Sequence, residues 1–185
     1  MRTFIAIDLD DSLKDRLTAL IRTLNTGEKN VRWVKPQGLH LTLKFLGHIS
    51  QDRVLQVKEV LKRLSHECSS FPLRLKGTGS FPAGKKPPRV LWVGVEHNEP
   101  LLKLQARIEK DLEGLGFPAE SRAFHPHLTL GRVKRPQGLE PILSELNRHG
   151  DETFGEMRVG KITFFSSTLT PSGAEYSVLS EYPLE

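Results

Sequence analysis

The chain has 185 residues, 37% of them hydrophobic and 26% charged, with a net charge of +5. That length fits one domain or two small lobes on a shared core, and the composition excludes a disordered chain. No stretch approaches the roughly 18 apolar residues of a membrane helix, and the single cysteine, Cys68, excludes an intrachain disulfide and suits a reducing, cytoplasmic setting.

The opening "MRTFIAIDLDDS" turns acidic after a short apolar run and reads as a first strand, centred on 4–9, rather than a cleaved signal. Leu13, Leu17, Leu20, Ile21 and Leu24 then share a helical stripe, with Asp11 or Ser12 expected to cap it. A polar stretch over 26–30 leads to "VRWV", a turn at 35–38, and "HLTL". Val54, Val57, Leu61 and Leu64 mark a second helix, and "FPLRLKGTG" a strand. The segment 81–88, rich in proline and lysine, reads as a linker.

The second half begins with the strand "RVLWVGVE". Leu101, Leu104, Ile108, Leu112 and Leu115 follow at helical spacing, with Gly116 as the stop signal. A loop leads to a second "HLTL", and Leu139, Ile142, Leu143 and Leu146 mark a shorter helix with Pro141 in its first turn. "MRVGKITFFSSTLT" and "AEYSVLSEYPLE" read as two strands joined by the turn "PSGA". The strand–helix–strand order and the place of the histidine are the same in both halves. The expected fold is therefore α+β: a single bilobal domain over 1–185, with half-repeats at about 1–80 and 89–185. Each pseudo-symmetric lobe is an antiparallel sheet flanked by helices, and a central cleft lies between them.

Alternate side chains of a strand face the same way. His40 and Thr42 share one face and His127 and Thr129 another, while the leucines between them form core-facing rows. Two imidazoles across one cleft supply a general base and a general acid at cellular pH. In-line displacement at phosphorus needs these on opposite sides of the reacting centre, and threonine hydroxyls beside them can hold non-bridging oxygens. The arrangement requires no metal. His125 and His127 form an H-x-H pair that raises a metal hydrolase as an alternative, but no carboxylate stands beside either "HLTL". A non-enzymatic RNA-binding module would explain the charge but not the duplicated His-Thr pairs. His48, His66, His97 and His149 sit in polar contexts without repeated partners, and Phe4, Phe45, Trp33 and Trp92 are expected to pack in the core.

The two H-x-T-x motifs, with "RWVKPQGLHLTLKFLG" and "FHPHLTLGRV" around them, resemble the 2H phosphoesterase superfamily, and within it the bacterial and archaeal RNA 2′,3′-cyclic phosphodiesterases, also called 2′-5′ RNA ligases. The resemblance extends to "RTFIAIDL" and "RVLWVGV". It implies a bilobal fold that hydrolyses a terminal 2′,3′-cyclic phosphate of RNA to a 2′-phosphate; no cofactor is expected, and the protein is expected to be a monomer. It also implies a reverse-type joining of RNA ends, such as tRNA halves, through a 2′-5′ linkage. On this sequence it makes His40 and His127 the catalytic pair, with His40 the proton donor to the leaving 3′ oxygen and His127 the base for water. Thr42, Thr129 and Arg132 become substrate-binding residues.

Overall fold

In the computed structural model the described residues are 1–185 except Glu28, Lys85 and Ser172. The first strand, β1 (Arg2–Asp8), precedes helix α1 (Asp11–Leu24), whose cap is Asp10 rather than the expected Asp11 or Ser12: its carboxylate accepts the Leu13 backbone N–H at 2.8 Å. Short β2 (Val31–Trp33) and a 3-10 turn (Pro36–Gly38) lead to β3 (His40–His48) and helix α2 (Gln51–Glu67). Strands β4 (Phe71–Phe81) and β5 (Val90–Val95) follow, then helix α3 (Glu99–Glu113) and β6 (His127–Val133). Helix α4 (Glu140–Arg148) and strands β7 (Thr153–Val159), β8 (Lys161–Thr170) and β9 (Gly173–Pro183) complete the chain. Cys68 caps α2 as a half-buried free thiol whose pKa burial pushes up.

The architecture is α+β, with two antiparallel sheets in the orders β3-β1-β8-β9 and β2-β6-β5-β4-β7. The sheets do not coincide with the sequence halves. β2 and β4, from the first half, complete the five-stranded sheet, while β8 and β9, from the second, complete the four-stranded one. The run "MRVGKITFFSSTLT" is not one strand: it divides at Gly160, where the chain leaves the five-stranded sheet as β7 and enters the four-stranded one as β8. β8 and β9 form the expected hairpin, whose turn includes Ser172, outside the described residues. Segment 81–88, in which Lys85 is likewise outside them, joins β4 to β5 within one sheet.

The helices cross over as well. Helix α1 packs on β7 and α4, beside the five-stranded sheet, whereas α2 and α3 pack together behind the four-stranded sheet, on β8, β9 and β3. Their apolar stripes meet the inner rows of both sheets in a continuous core that includes Ile5, Ile7, Leu17, Leu61, Leu91, Val93, Ile108 and Ile142. A separate small cluster of Phe4, Ala6 and Phe165, edged by Tyr176, lies on the opposite face of the four-stranded sheet. That face carries the site.

Candidate active site

Strands β3 and β6 are in contact, and each carries one His-Leu-Thr-Leu step. Leu41, Leu43, Leu128 and Leu130 are buried, while His40, Thr42, His127 and Thr129 remain half-buried on the other face, as alternation predicts. His40 lies opposite Asp8 and Thr42 opposite Ala6 on β1; His127 lies opposite Gly94 and Thr129 opposite Trp92 on β5.

Strict alternation from His127 would turn Arg132 to the leucine face. A register shift prevents this: Thr129 pairs with Trp92, Gly131 with Leu91 and Arg132 with Val90, so Leu130 is an extra residue. This β-bulge reverses the parity and returns Arg132 to the face of His127 and Thr129. Gly131 takes the crowded inner position, where a Cβ would come within 2.7 Å of Val31 Cγ1 and 2.9 Å of Trp33. β3 has the same bulge at Leu43, with Lys44 opposite Ile5 and Phe45 opposite Phe4. Lys44 therefore points inward, and Phe45 joins the face of His40 and Thr42.

His40 stacks on Phe4 with ring centroids 4.7 Å apart and meets the edge of Tyr176 at 5.1 Å. Burial among these rings lowers its pKa to about 4; Asp8 opposes the shift, Lys14 adds to it, the Gly38 carbonyl opposes it and Arg132 adds to it. Lys14 and Asp8 themselves form an ion pair at 2.9 Å. His127 contacts Phe81 edge-on at 5.0 Å, and its Nδ1–H donates to the His125 carbonyl at 2.7 Å. That bond fixes the tautomer, leaving Nε2 with a lone pair when the ring is neutral. Burial lowers the His127 pKa, against the bond to the His125 carbonyl, and Arg132 and His125 lower it further. Each imidazole thus has a carbonyl two residues upstream acting on it, a second sign of the internal symmetry.

The Arg132 guanidinium is exposed, has no ion pair among the described residues, and lies near enough to depress both imidazoles. The Thr42 and Thr129 hydroxyls make no hydrogen bond among the described residues and are free to meet a ligand. Thr42 and His127 border a cleft of about 1500 Å³, shared with Phe45, Lys86, Arg89, Arg122 and Lys134. His127 also borders a smaller pocket of about 370 Å³ with Thr78 and Trp92. His125 supports His127 through its carbonyl; its own ring is exposed. Among the described residues no three His, Cys, Asp or Glu side chains are grouped to hold a metal ion.

The remaining histidines behave as structural or surface groups; His149, for example, is clasped by Glu145 and Glu152, and these partners raise its pKa against a smaller opposing effect of burial. Two features of the site lie outside the sequence expectations. Asp8 shares the parity of Phe4 and Ala6, so its place beside His40 is readable once those residues are assigned to that face. Phe45, expected in the core, is 60% exposed and lines the cleft. Its common offset with Arg132 from the two histidines is visible in the sequence, but the meaning of that offset depends on the bulges.

The pattern of the 2′-5′ RNA ligase superfamily matches residues 9–170. The chain is 32% identical to an RNA 2′,3′-cyclic phosphodiesterase of Methanothermobacter thermautotrophicus, over 100% of this chain and 99% of the relative. It is 37% identical to an RNA 2′,3′-cyclic phosphodiesterase of Thermotoga maritima, over 100% of this chain and 96% of that one. A solved protein of Thermus thermophilus superposes with a TM-score of 0.85 at 30% identity, covering 100% of this chain and 98% of its own. E. coli LigT, in a complex with 3′-AMP, has the same fold at a TM-score of 0.82 and 23% identity, covering 99% and 97% of the two chains. With the family pattern spanning both histidine strands and full-length relatives above 30% identity, the chain belongs to the 2′-5′ RNA ligase superfamily.

Proposed function

We propose that the chain hydrolyses the terminal 2′,3′-cyclic phosphate of RNA to a 2′-phosphate, with His127 as general base and His40 as general acid. The observation that carries this reading is the tautomer of His127: with Nδ1–H committed to the His125 carbonyl, Nε2 is left to accept a proton. Water loses its proton to Nε2 and its oxygen bonds to phosphorus. The bond from phosphorus to the 3′ oxygen breaks, and that oxygen takes a proton from His40. Thr42, Thr129 and Arg132 hold the non-bridging oxygens as charge builds on them. His40 must be protonated for this step, which its pKa of about 4 opposes in the free protein. An anionic phosphodiester beside the ring, adding to Asp8, favours the imidazolium.

The names of the relatives and the family support RNA as substrate. If a ribose 5′-hydroxyl replaces water, the same displacement joins two RNA ends through a 2′-5′ linkage, so one site serves both reactions. No helix among the described residues is long and apolar enough to cross a membrane. The lone free Cys68 accords with a cytoplasmic setting, and we take the active species to be a monomer.

The deciding experiment incubates the protein with a 5′-labelled oligonucleotide ending in a 2′,3′-cyclic phosphate. The expected product is the 2′-phosphate; an unchanged end, or a 3′-phosphate, refutes the reading.

The pH dependence follows from the two depressed imidazoles. The profile of kcat/KM reports the free enzyme, where His127 must be neutral and His40 charged. Both groups titrate below the ordinary value. The kcat/KM optimum is therefore expected on the acid side of about 6.5, and the kcat optimum at higher pH, because bound phosphate raises both imidazoles. The limbs belong to the coupled pair. A kcat/KM that climbs steadily through alkaline pH contradicts the mechanism.

Arg132→Ala is expected to slow single turnover at saturating substrate by about 10²-fold, the effect of losing a donor to developing charge. Arg132→Lys should recover only part of it, because the planar two-point grip is lost. Removing the charge that depresses both imidazoles should also move the pH profile upward. If only apparent affinity falls, with the chemical step and its pH profile unchanged, Arg132 is an outer RNA contact.

A further inference from the structure

The row of β1 that carries Phe4 and Ala6 ends in a carboxylate, Asp8, which is the Cα partner of His40 on β3. Side chains directly opposite in an antiparallel pair stand about 4.5–5.5 Å apart at Cβ, so carboxylate and imidazole are neighbours on one face. Among the described residues Asp8 makes no hydrogen bond to the ring, and its ion pair is with Lys14 of α1, at 2.9 Å. Both side chains are less than one-third exposed, so water screens them only in part. The other groups of this kind facing the ring are Arg132 of β6 and the Tyr176 phenol of β9. Burial is the largest influence on His40 and drives it neutral; Asp8 opposes burial, while Lys14 and Arg132 reinforce it. Asp8 is thus the one anion in a setting of aromatic rings and cations. His127 is acted on by burial, the His125 carbonyl, Arg132 and the His125 ring, with neither Asp8 nor Lys14 among them.

We propose that Asp8 is a positioning residue that keeps the proton on His40, and that Lys14, by pairing with Asp8, sets how much of that negative charge the ring feels. The inference rests on the cyclic phosphodiesterase reading, in which His40 is the acid. It gives the ion pair a role that a purely structural bridge would not have. Removing either partner breaks the same contact, yet the two losses act on His40 in opposite directions. Without Asp8 the ring faces cations alone; without Lys14 the carboxylate acts on it undiminished.

The test is the pH profile of kcat/KM for an oligonucleotide ending in a 2′,3′-cyclic phosphate. Only free enzyme with His127 neutral and His40 protonated reacts productively. On the acid side of the optimum neutral His127 is scarce, and on the alkaline side protonated His40 is scarce. Asp8→Asn keeps the shape and loses the charge, so alkaline-side kcat/KM should fall about 3- to 10-fold, the effect of one nearby unit charge in a partly hydrated site. Lys14→Met should raise it by a similar factor, and Asp8→Glu should stay near wild type. The acid side should hardly move in any of them. Equal losses in Asp8→Asn and Lys14→Met on both sides of the optimum would make the pair a structural bridge and overturn the proposal. A change confined to the acid side would make His40 the base, which overturns it as well. NMR titration of the His40 ring keeps the question separate from turnover: its midpoint should fall in Asp8→Asn and rise in Lys14→Met. Should wild type leave the cyclic phosphate intact, the hydrolytic reading fails, and the control of His40 by Asp8 and Lys14 then stands or falls on this titration.

Discussion

Alanine at His40 or at His127 is expected to reduce single turnover of a cyclic-phosphate RNA end by about 10²–10⁴-fold each, the usual contribution of a positioned acid or base. The two rings serve one proton relay, so the double variant should be little slower than the worse single variant. The folded state should persist in both, because each ring is half-buried and lies outside the main core. The variants should differ in their response to acid. His40 is held neutral by burial, with a folded pKa of about 4, below its unfolded value. Its contribution to stability is full above about 6.5 and is lost as pH falls toward the folded value. His40→Ala should therefore soften acid unfolding. Rapid-quench rates, with circular dichroism to verify folding, provide the check. Near-wild-type turnover in either variant would remove that histidine from the mechanism.

The largest expected effect on stability lies at Lys44. Its ammonium is buried and pairs with Glu109 at 2.5 Å, while also donating to the Pro118 carbonyl at 2.9 Å. Glu109 in turn accepts from Gln105 Nε2 at 3.2 Å and from the Glu120 backbone at 3.3 Å. The network ties β3 to α3 and to the loop that leads into His125 and His127. Lys44→Met should destabilise by about 3–5 kcal/mol, because it strands a carboxylate with little water around it. Lys44→Met combined with Glu109→Leu should recover much of that loss, since no charge is then left without a partner. Urea unfolding of both variants measures the difference. A single-variant loss below about 1 kcal/mol would place the pair with weak surface ion pairs.

Much of this is readable from the chain. Apolar spacing locates the four α-helices of the described residues, and the His-Leu-Thr-Leu alternation gives the faces of β3 and β6, because burial enforces periodicity. Three features escape for physical reasons. The cap of α1 is Asp10, one residue before the first candidate, since neighbouring polar residues all have capping chemistry and only backbone geometry chooses among them. The bulges at Leu43 and Leu130 leave no mark in hydropathy, because the extra residue is itself a buried leucine. Hence the core expectation fails for Phe45, while Arg132 is placed at the site by family resemblance and not by alternation. The exchange of strands between the halves is a long-range event, and local pattern carries no record of which sheet a strand joins. Gly160 is the available clue, a break in an otherwise unbroken strand-like run.

That exchange sets an order of assembly. β1 is an interior strand of the four-stranded sheet, with β3 on one side and β8 on the other. Phe4 and Ala6, which floor the His40 side, are sealed by Phe165 from near the opposite end of the chain. During synthesis β1, the partner of the first histidine strand, is therefore made early and must wait, unsealed on its other flank, until β8 has emerged. Pairings that span most of the sequence are slow to form and leave apolar strands exposed meanwhile. A nascent chain stopped before β8 would present Phe4 and Ala6 to solvent, and the first aromatic pocket would be completed only after the second histidine was already in place.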